Sequence, residues 1–290
     1  MRTAAATRPD WVLARGRVAL DRPVLLGILN LTPDSFWEGG RHGAPEVALR
    51  HAERLVEEGA DLLDVGGEST RPGARPVSED EETGRVVPVI RALAERFPDT
   101  PISVDTVKAG VARAAVEAGA AVINDVSGLR LDEAMGRVVA ETGAGLVLMH
   151  SRGTVEEMAG YEMAEYGDDP VGEIVAELGA SLEKAERAGI AADRIVLDPG
   201  LGFSKRTEHS VAALRGLDRI EALGRAVLVG PSRKRFVGEL AGGLEPADRL
   251  EGTIAACVAA WLKGARLFRI HDVRAIRRAL AVAAALGEPT

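Results

Sequence analysis

The sequence predicts a single-domain α/β fold, a (β/α)8 or TIM barrel of parallel strands, and three observations predict it. Eight short β-branched or Leu-rich runs alternate with longer Ala/Glu/Arg-rich segments whose apolar residues recur at helical spacing. The runs are almost continuously apolar, as parallel strands are when helices cover them. Two helical stripes stop at Gly and pass directly into the next run, with no linker or low-complexity tract between them. A chain of 290 residues could hold two domains. Barrels of about 250 residues nevertheless fold as one unit. The expected division is a lead-in over 1–15 and the barrel over 16–290.

Taken in order, Met1–Thr7 is expected to fray, and Arg8–Leu20 to close the barrel floor as a short strand or hairpin. The runs are Val24–Leu29, Asp61–Val65, Pro101–Val104, Ala121–Ile123, Leu146–Met149, Arg194–Leu197, Ala226–Val229 and Ala265–Arg269. Ala48, Ala52, Leu55 and Val56 form one helical stripe ending at Gly59; Val107, Val111, Ala114 and Ala118 form another ending at Gly119. The longest stretch without a strand, Ser151–Asp193, shows one helical pattern around Val171–Arg187, preceded by a polar loop over Thr154–Asp169. The apolar late helices Ile254–Leu262 and Ile276–Leu286 suit either barrel core or a homodimer contact.

Composition narrows the function classes. A hydrophobic content of 46% supports a large core, and a single cysteine, Cys257, excludes a disulfide scaffold or a Cys-rich zinc site. Met1–Trp11 holds no apolar signal region, and the longer apolar stretches break before membrane-spanning length, so a soluble cytoplasmic protein without a membrane partner is expected. The net charge of −8 argues against a nucleic-acid partner but is silent about a local anion site. Amides are scarce: there is no Gln, and Asn occurs only at Asn30 and Asn124. Lysine is also rare, with five among 36 cationic residues. An Asn that persists against this bias is expected where no other side chain serves.

Barrels of this kind do chemistry at the carboxyl ends of their strands. The residues that follow the eight runs are Asn30; Asp64 with Glu68, Thr70 and Arg71; Asp105; Asn124 with Asp125; His150; Asp198; Ser232 with Arg233 and Lys234; and Arg269 with His271 and Asp272. Both asparagines are among them. Carboxylates and amides in this setting suit a flat, nitrogen-rich heterocycle, whose N–H and NH₂ groups a carboxylate can accept together. Asp105 and Asp198 have a simpler alternative as caps of the following helices, although Pro199-Gly200 demands a turn first. Cations gather at Arg233, Lys234 and Arg235 after the seventh run and at Arg269 and His271 after the eighth, the usual anion site of such barrels. A solvated face remains the alternative for Arg235, and a structural role for His271.

Absent motifs also inform. Gly200-Leu201-Gly202 lacks the third glycine of a dinucleotide fingerprint, and no P-loop, H-E-x-x-H or G-x-S-x-G elbow occurs. Asn30-Leu31-Thr32 matches a glycosylation sequon but reads better as a strand end.

The chain resembles the dihydropteroate synthases of folate biosynthesis. GILNLTPDSF (27–36), DVGGESTRPGA (64–74), ISVDT with Lys108, VINDVSG (122–128), LMH (148–150), LDPGLGF (197–203), GPSRK (230–234) and RIHD (269–272) carry the likeness, in the family's order and over residues 24 to 285. The resemblance implies a barrel enzyme that joins a dihydropterin methyl pyrophosphate to p-aminobenzoate and releases pyrophosphate. It implies that Asp105, Asn124, Asp198 and Lys234 hold the pterin, with Met149 and Phe203 beside it. Arg269, His271, Asn30 and Arg71 would grip the pyrophosphate, Asn30 through Mg²⁺. Phe36, Thr70, Arg71, Pro72, Ser232 and Arg235 would surround the aminobenzoate as the segments Thr32–Gly43 and Ser69–Pro76 close, with Phe203 and the Lys234 stem completing its slot. Lys234, Arg269, His271 and Asp105 would be the catalytic set, and the enzyme a cytoplasmic homodimer. Cys257 reads as core or interface, consistent with a reaction that needs no side-chain nucleophile.

Three positions depart from the family pattern. Trp37-Glu38 stand where Ser-Asp is common, Ser204 where Gly is frequent, and Arg235 where Ser is frequent. Related readings are a methyltetrahydrofolate-dependent methyltransferase, which should not need the Ser232–Lys234 and Arg269–His271 clamp, and a non-catalytic pterin-binding paralogue.

Overall fold

A computed structural model describes residues 10–31, 44–69 and 75–287. Trp11–Val12 (β1) and Arg17–Val18 (β2) pair as an antiparallel hairpin. Eight strands then close a barrel: β3 Val24–Asn30, β4 Leu62–Gly66, β5 Ile102–Asp105, β6 Val122–Asp125, β7 Gly145–Met149, β8 Ile195–Asp198, β9 Ala226–Val229 and β10 Leu267–Ile270. Each pairs in parallel with its sequence neighbour, and β10 returns to β3. This is the (β/α)8 barrel the patterning predicts. Each of the eight runs lies within two residues of a strand, but six strands reach further at their carboxyl ends, and four of these take in a polar last residue, Asn30, Asp105, Asp125 or Asp198. Ladder hydrogen bonds are indifferent to side-chain polarity, so a strand continues past the end of its apolar run.

Helices Ala44–Glu57 (α1), Glu79–Arg96 (α2), Ala109–Ala118 (α3), Met135–Thr142 (α4), Val155–Met158 (α5), Pro170–Arg187 (α6), Thr207–Arg215 (α7), Leu217–Glu221 (α8), Arg235–Leu240 (α9), Leu250–Leu262 (α10) and Val273–Leu286 (α11) cover the outside. Two differ from the sequence reading. Helix α3 begins at Ala109 and buries Ala109, Val111, Ala112 and Ala115, not the stripe that starts at Val107. Lys108 is still extended there, and its amide donates to Thr106 Oγ1. The one-turn α5 lies inside the expected loop. Thr154 and Glu157 cap its start reciprocally, a signal that the sequence did carry.

Inside the barrel, side chains repeat every second residue, and two steps along each strand change the chemistry. The lower layer is apolar: Val24, Leu26, Leu62, Val122, Val147, Val196, Leu228 and Leu267 form one buried cluster. The hairpin seals it from below with Trp11, Leu13 and Leu20, and the Trp11 indole donates to the Arg194 carbonyl at 2.9 Å. Two residues further along the same faces stand Asp64, Asn124, Met149, Asp198 and Arg269. The larger cluster, between sheet and helices, includes Leu25, Leu29, Leu63, Val65 and Ile123 and fixes the barrel against its outer ring. Among the described helices none is long and apolar enough to cross a membrane.

Candidate active site

The polar mouth is built by register. Asn30 of β3 pairs with Gly66 of β4, Gly66 with Asp105 of β5, and Asp105 with Asn124 of β6. The two asparagines of the chain therefore sit in one row at the top of the barrel, on either side of Asp105. Asn124 is buried and Asn30 half-buried. Glycine at position 66 leaves the row open, since a Cβ there would lie 3.6 Å from both Asn30 Oδ1 and Asp105 Cβ. Asp125, next to Asn124, points the other way and accepts from Ser127 and the Leu129 amide, which folds the following loop.

Arg269 crosses the mouth from β10. Its Nε donates to Asp64 Oδ2 at 2.6 Å and its Nη2 to Asp105 Oδ2 at 2.8 Å. Asp64, one layer deeper, has no exposed surface, and its Oδ1 has no partner. The roles implied by the family resemblance leave Asp64 without one, although the residue stands among the strand ends. Asp105 caps no helix; Lys108 occupies the N-cap of α3. The Asp198 carboxylate bends its own loop, accepting from the Gly200 amide at 2.7 Å, and so does not cap α7 either.

The neighbouring wall comes from the loops after β8 and β9. The Lys234 ammonium lies 3.6 Å from the centroid of the Phe203 ring, a cation–π contact. Gly202, at φ 73°, lets the lysine stem pass, because a Cβ there would come within 3.1 Å of Lys234 Cδ. Ser204 takes a left-handed backbone at φ 47°; its Oγ donates to the Arg152 carbonyl at 2.8 Å and accepts from the Arg152 amide at 3.0 Å. Those two bonds offset the strain that a glycine would avoid. Met149 is buried with Val107, Val126 and Met158, and Phe203 packs against this cluster.

Ser232 Oγ accepts from the His271 amide at 3.1 Å and meets His271 Nδ1 at 3.0 Å, joining the last two loops. Arg233 departs from the cation cluster expected of the sequence. At φ 56° its side chain swings to Asp272 and forms bonds of 2.9 and 2.6 Å. Arg235 lies exposed, its guanidinium 3.5 Å from the Tyr161 ring centroid and 4.0 Å from Glu239. Phe36, Trp37, Glu38, Thr70, Arg71 and Pro72 lie outside the described residues.

Burial dominates the electrostatics. It pushes Asp105 and Asp198 above the usual carboxylate range, opposed for Asp105 by Arg269 and for Asp198 by the Gly200 amide and Lys234. Burial pushes Lys234 down, opposed by Asp198. Arg269 is held above its ordinary value because Asp64 and Asp105 outweigh its own desolvation. The arrangement offers alternating acceptors and donors to a flat heterocycle, a fixed guanidinium for an anion, and a cation-backed aromatic wall.

Sequence comparison agrees with this geometry. A family model for pterin binding enzymes matches residues 26–271. A dihydropteroate synthase from Synechocystis is 42% identical over 265 residues, covering 91% of this chain and 90% of that one. Among solved structures, the Xanthomonas albilineans dihydropteroate synthase with 4-aminobenzoic acid has a TM-score of 0.88 at 46% identity, covering 97% of this chain and 98% of that one. The same enzyme in complex with 7,8-dihydropteroate has a TM-score of 0.85 at 43% identity, over 96% and 98%. With its barrel and nearly its full length matched by these relatives, the chain belongs to the pterin-binding enzymes and, among them, to the dihydropteroate synthases, transferases of folate biosynthesis.

Proposed function

We propose that the barrel mouth condenses 6-hydroxymethyl-7,8-dihydropterin pyrophosphate with p-aminobenzoate to give 7,8-dihydropteroate and pyrophosphate, with the following division of labour. The observation that carries this reading is the juxtaposition of the Asn30–Asp105–Asn124 row, the Arg269 clamp and the Phe203–Lys234 wall in one mouth. Asp198 accepts from the 2-amino and N3 edge of the pterin, Asn124 and Asp105 complement its other ring atoms, and Lys234 reaches the carbonyl side. Met149 supports the ring from below.

Breaking the C–O bond puts negative charge on the leaving pyrophosphate. Arg269, held in orientation by Asp64 and Asp105, faces that charge with His271, and a pre-aimed cation stabilises it without reorganising. The dihydropterin itself delocalises the positive charge that develops on the methylene. The arylamine enters a slot that Phe203 and the Lys234 stem complete, with Ser232 and Arg235 nearest its carboxylate, and attacks the methylene directly. Its lost proton leaves with the pyrophosphate or solvent. No side-chain nucleophile takes part, and Cys257 is buried in α10. Phe36, Thr70, Arg71 and Pro72 are assigned to closing the aryl slot and excluding water.

Mg²⁺ fits the donor set at Asn30, a half-buried carboxamide oxygen at the edge of the row, because that ion binds few protein ligands and fills its shell with phosphate oxygens and water. When bound it supplies charge neutralisation to the leaving group. We further assign the chain to the cytoplasm, and a homodimer contact to the apolar side chains that α10 and α11 leave exposed, Leu262, Val282 and Leu286.

The test is turnover. Purified protein supplied with the dihydropterin pyrophosphate, p-aminobenzoate and Mg²⁺ should release one pyrophosphate per dihydropteroate. Pterin binding without dihydropteroate formation would reject the enzymatic reading in favour of a binding paralogue.

A further inference from the structure

Two residues beyond Phe203, Lys205 is almost wholly inside the protein, 1% exposed. A lysine is rarely buried unless its ammonium is engaged. Here the Nζ donates to the Phe203 carbonyl at 3.1 Å and lies 2.7 Å from His150 Nδ1. A charged ammonium only donates, so in that state Nδ1 accepts and the imidazole proton sits on Nε2, which faces Glu177 Oε2 at 3.1 Å. His150 follows β7 directly, and its amide donates to the Asp198 carbonyl at 2.9 Å. Lys205 thus ties together the end of β7, the end of β8 and the loop that presents Phe203. From the other side, the Lys234 ammonium sits over the Phe203 ring. One lysine holds the main chain of Phe203 while the other faces its ring.

The reaction derived above gives Lys205 no task, and the sequence offered no sign of it beyond the rarity of lysine. We propose that Lys205 is a positioning residue for the second-substrate slot, acting through the Phe203 carbonyl and His150 to fix where the Phe203 ring stands relative to Lys234. The inference rests on reading Phe203 and Lys234 as the p-aminobenzoate wall.

Wild-type turnover is measured first, since its absence rejects the underlying function and not this assignment. Lys205→Met keeps the stem and removes the ammonium. In that variant the KM for p-aminobenzoate should rise about tenfold, while kcat and the Kd of the dihydropterin pyrophosphate stay within about threefold. In a Phe203→Leu background the same change should raise KM by less than about threefold, because the ring it positions is gone. Should Lys205→Met fail to fold, Lys205→Arg replaces it: the guanidinium cannot reproduce both contacts, and KM for p-aminobenzoate should again rise with pterin affinity kept. A folded variant with unchanged p-aminobenzoate KM, an equal loss for both substrates, or strict additivity with Phe203→Leu would each overturn the assignment.

Discussion

Asp64 offers a quantitative test of the mouth. Its carboxylate is wholly buried and accepts from Arg269 Nε at 2.6 Å, while its second oxygen has no partner. Asp64→Asn keeps the shape and removes the charge. A hydrogen bond to a charged group is worth about 1.5–3 kcal/mol and a neutral one about 0.5–1.5 kcal/mol, so the exchange should cost about 1–2 kcal/mol. The new amide nitrogen, placed where Oδ1 stands, finds no acceptor, and this adds to the loss. For a chain of this length a loss of about 1–2 kcal/mol lowers Tm by about 2–3 °C. Asp64→Ala, which leaves the guanidinium nitrogen buried without its acceptor, should cost about 3–5 kcal/mol. Function should follow orientation: with only Asp105 to aim it, Arg269 loses alignment, and kcat should fall about tenfold, equivalent to about 1.4 kcal/mol of transition-state stabilisation. Melting followed by circular dichroism and pyrophosphate release under saturating substrates provide the two readouts. An Asp64→Asn protein that melts at or above the wild-type temperature with undiminished kcat would refute the claim that Asp64 holds the clamp.

Two further expectations concern buried groups. Burial, the adjacent Lys205 ammonium and Arg152 push the His150 imidazole down to about 4, against the opposing pull of Glu177. Its folded value lies below the unfolded one near 6.5, so the stability it contributes is complete above pH 6.5 and disappears as pH falls through about 4. In an NMR titration the His150 resonances should remain those of neutral imidazole at pH 5; a midpoint near 6.5 would refute this. Burial also pushes the Cys257 thiol up. Ellman's reagent should find no thiol in the native protein and one per chain in denaturant; rapid reaction of the native protein would show the helix to be open.

The fold was legible because its signal is local. Apolar runs, helical stripes and glycine stops lie along the chain, and each strand of the barrel pairs with its neighbour in sequence. Much of the mouth was legible for a related reason. A strand that steps from Leu62 to Asp64, or from Val122 to Asn124, shows the change from floor to mouth within three residues. What escaped depends on contacts between distant segments. Arg233 stands beside Lys234 in sequence, yet its left-handed backbone sends the side chain to Asp272. The strand step marks Asp64 as a mouth residue, but its hold on Arg269 spans 205 residues, and the histidine that engages Lys205 stands 55 residues earlier. The cap at Thr154 and Glu157 was local and readable, and was passed over because its helix has a single turn.

The central claim is that the polar layer at the carboxyl end of the barrel holds the pterin, and Asn124→Ala tests it most directly. Binding of the dihydropterin pyrophosphate and the KM for p-aminobenzoate should be measured side by side in the wild type and this variant. Losing a bidentate amide should weaken pterin binding about tenfold or more, while the KM for p-aminobenzoate stays within about twofold. An unchanged pterin affinity, or equal losses for the two substrates, would contradict the account.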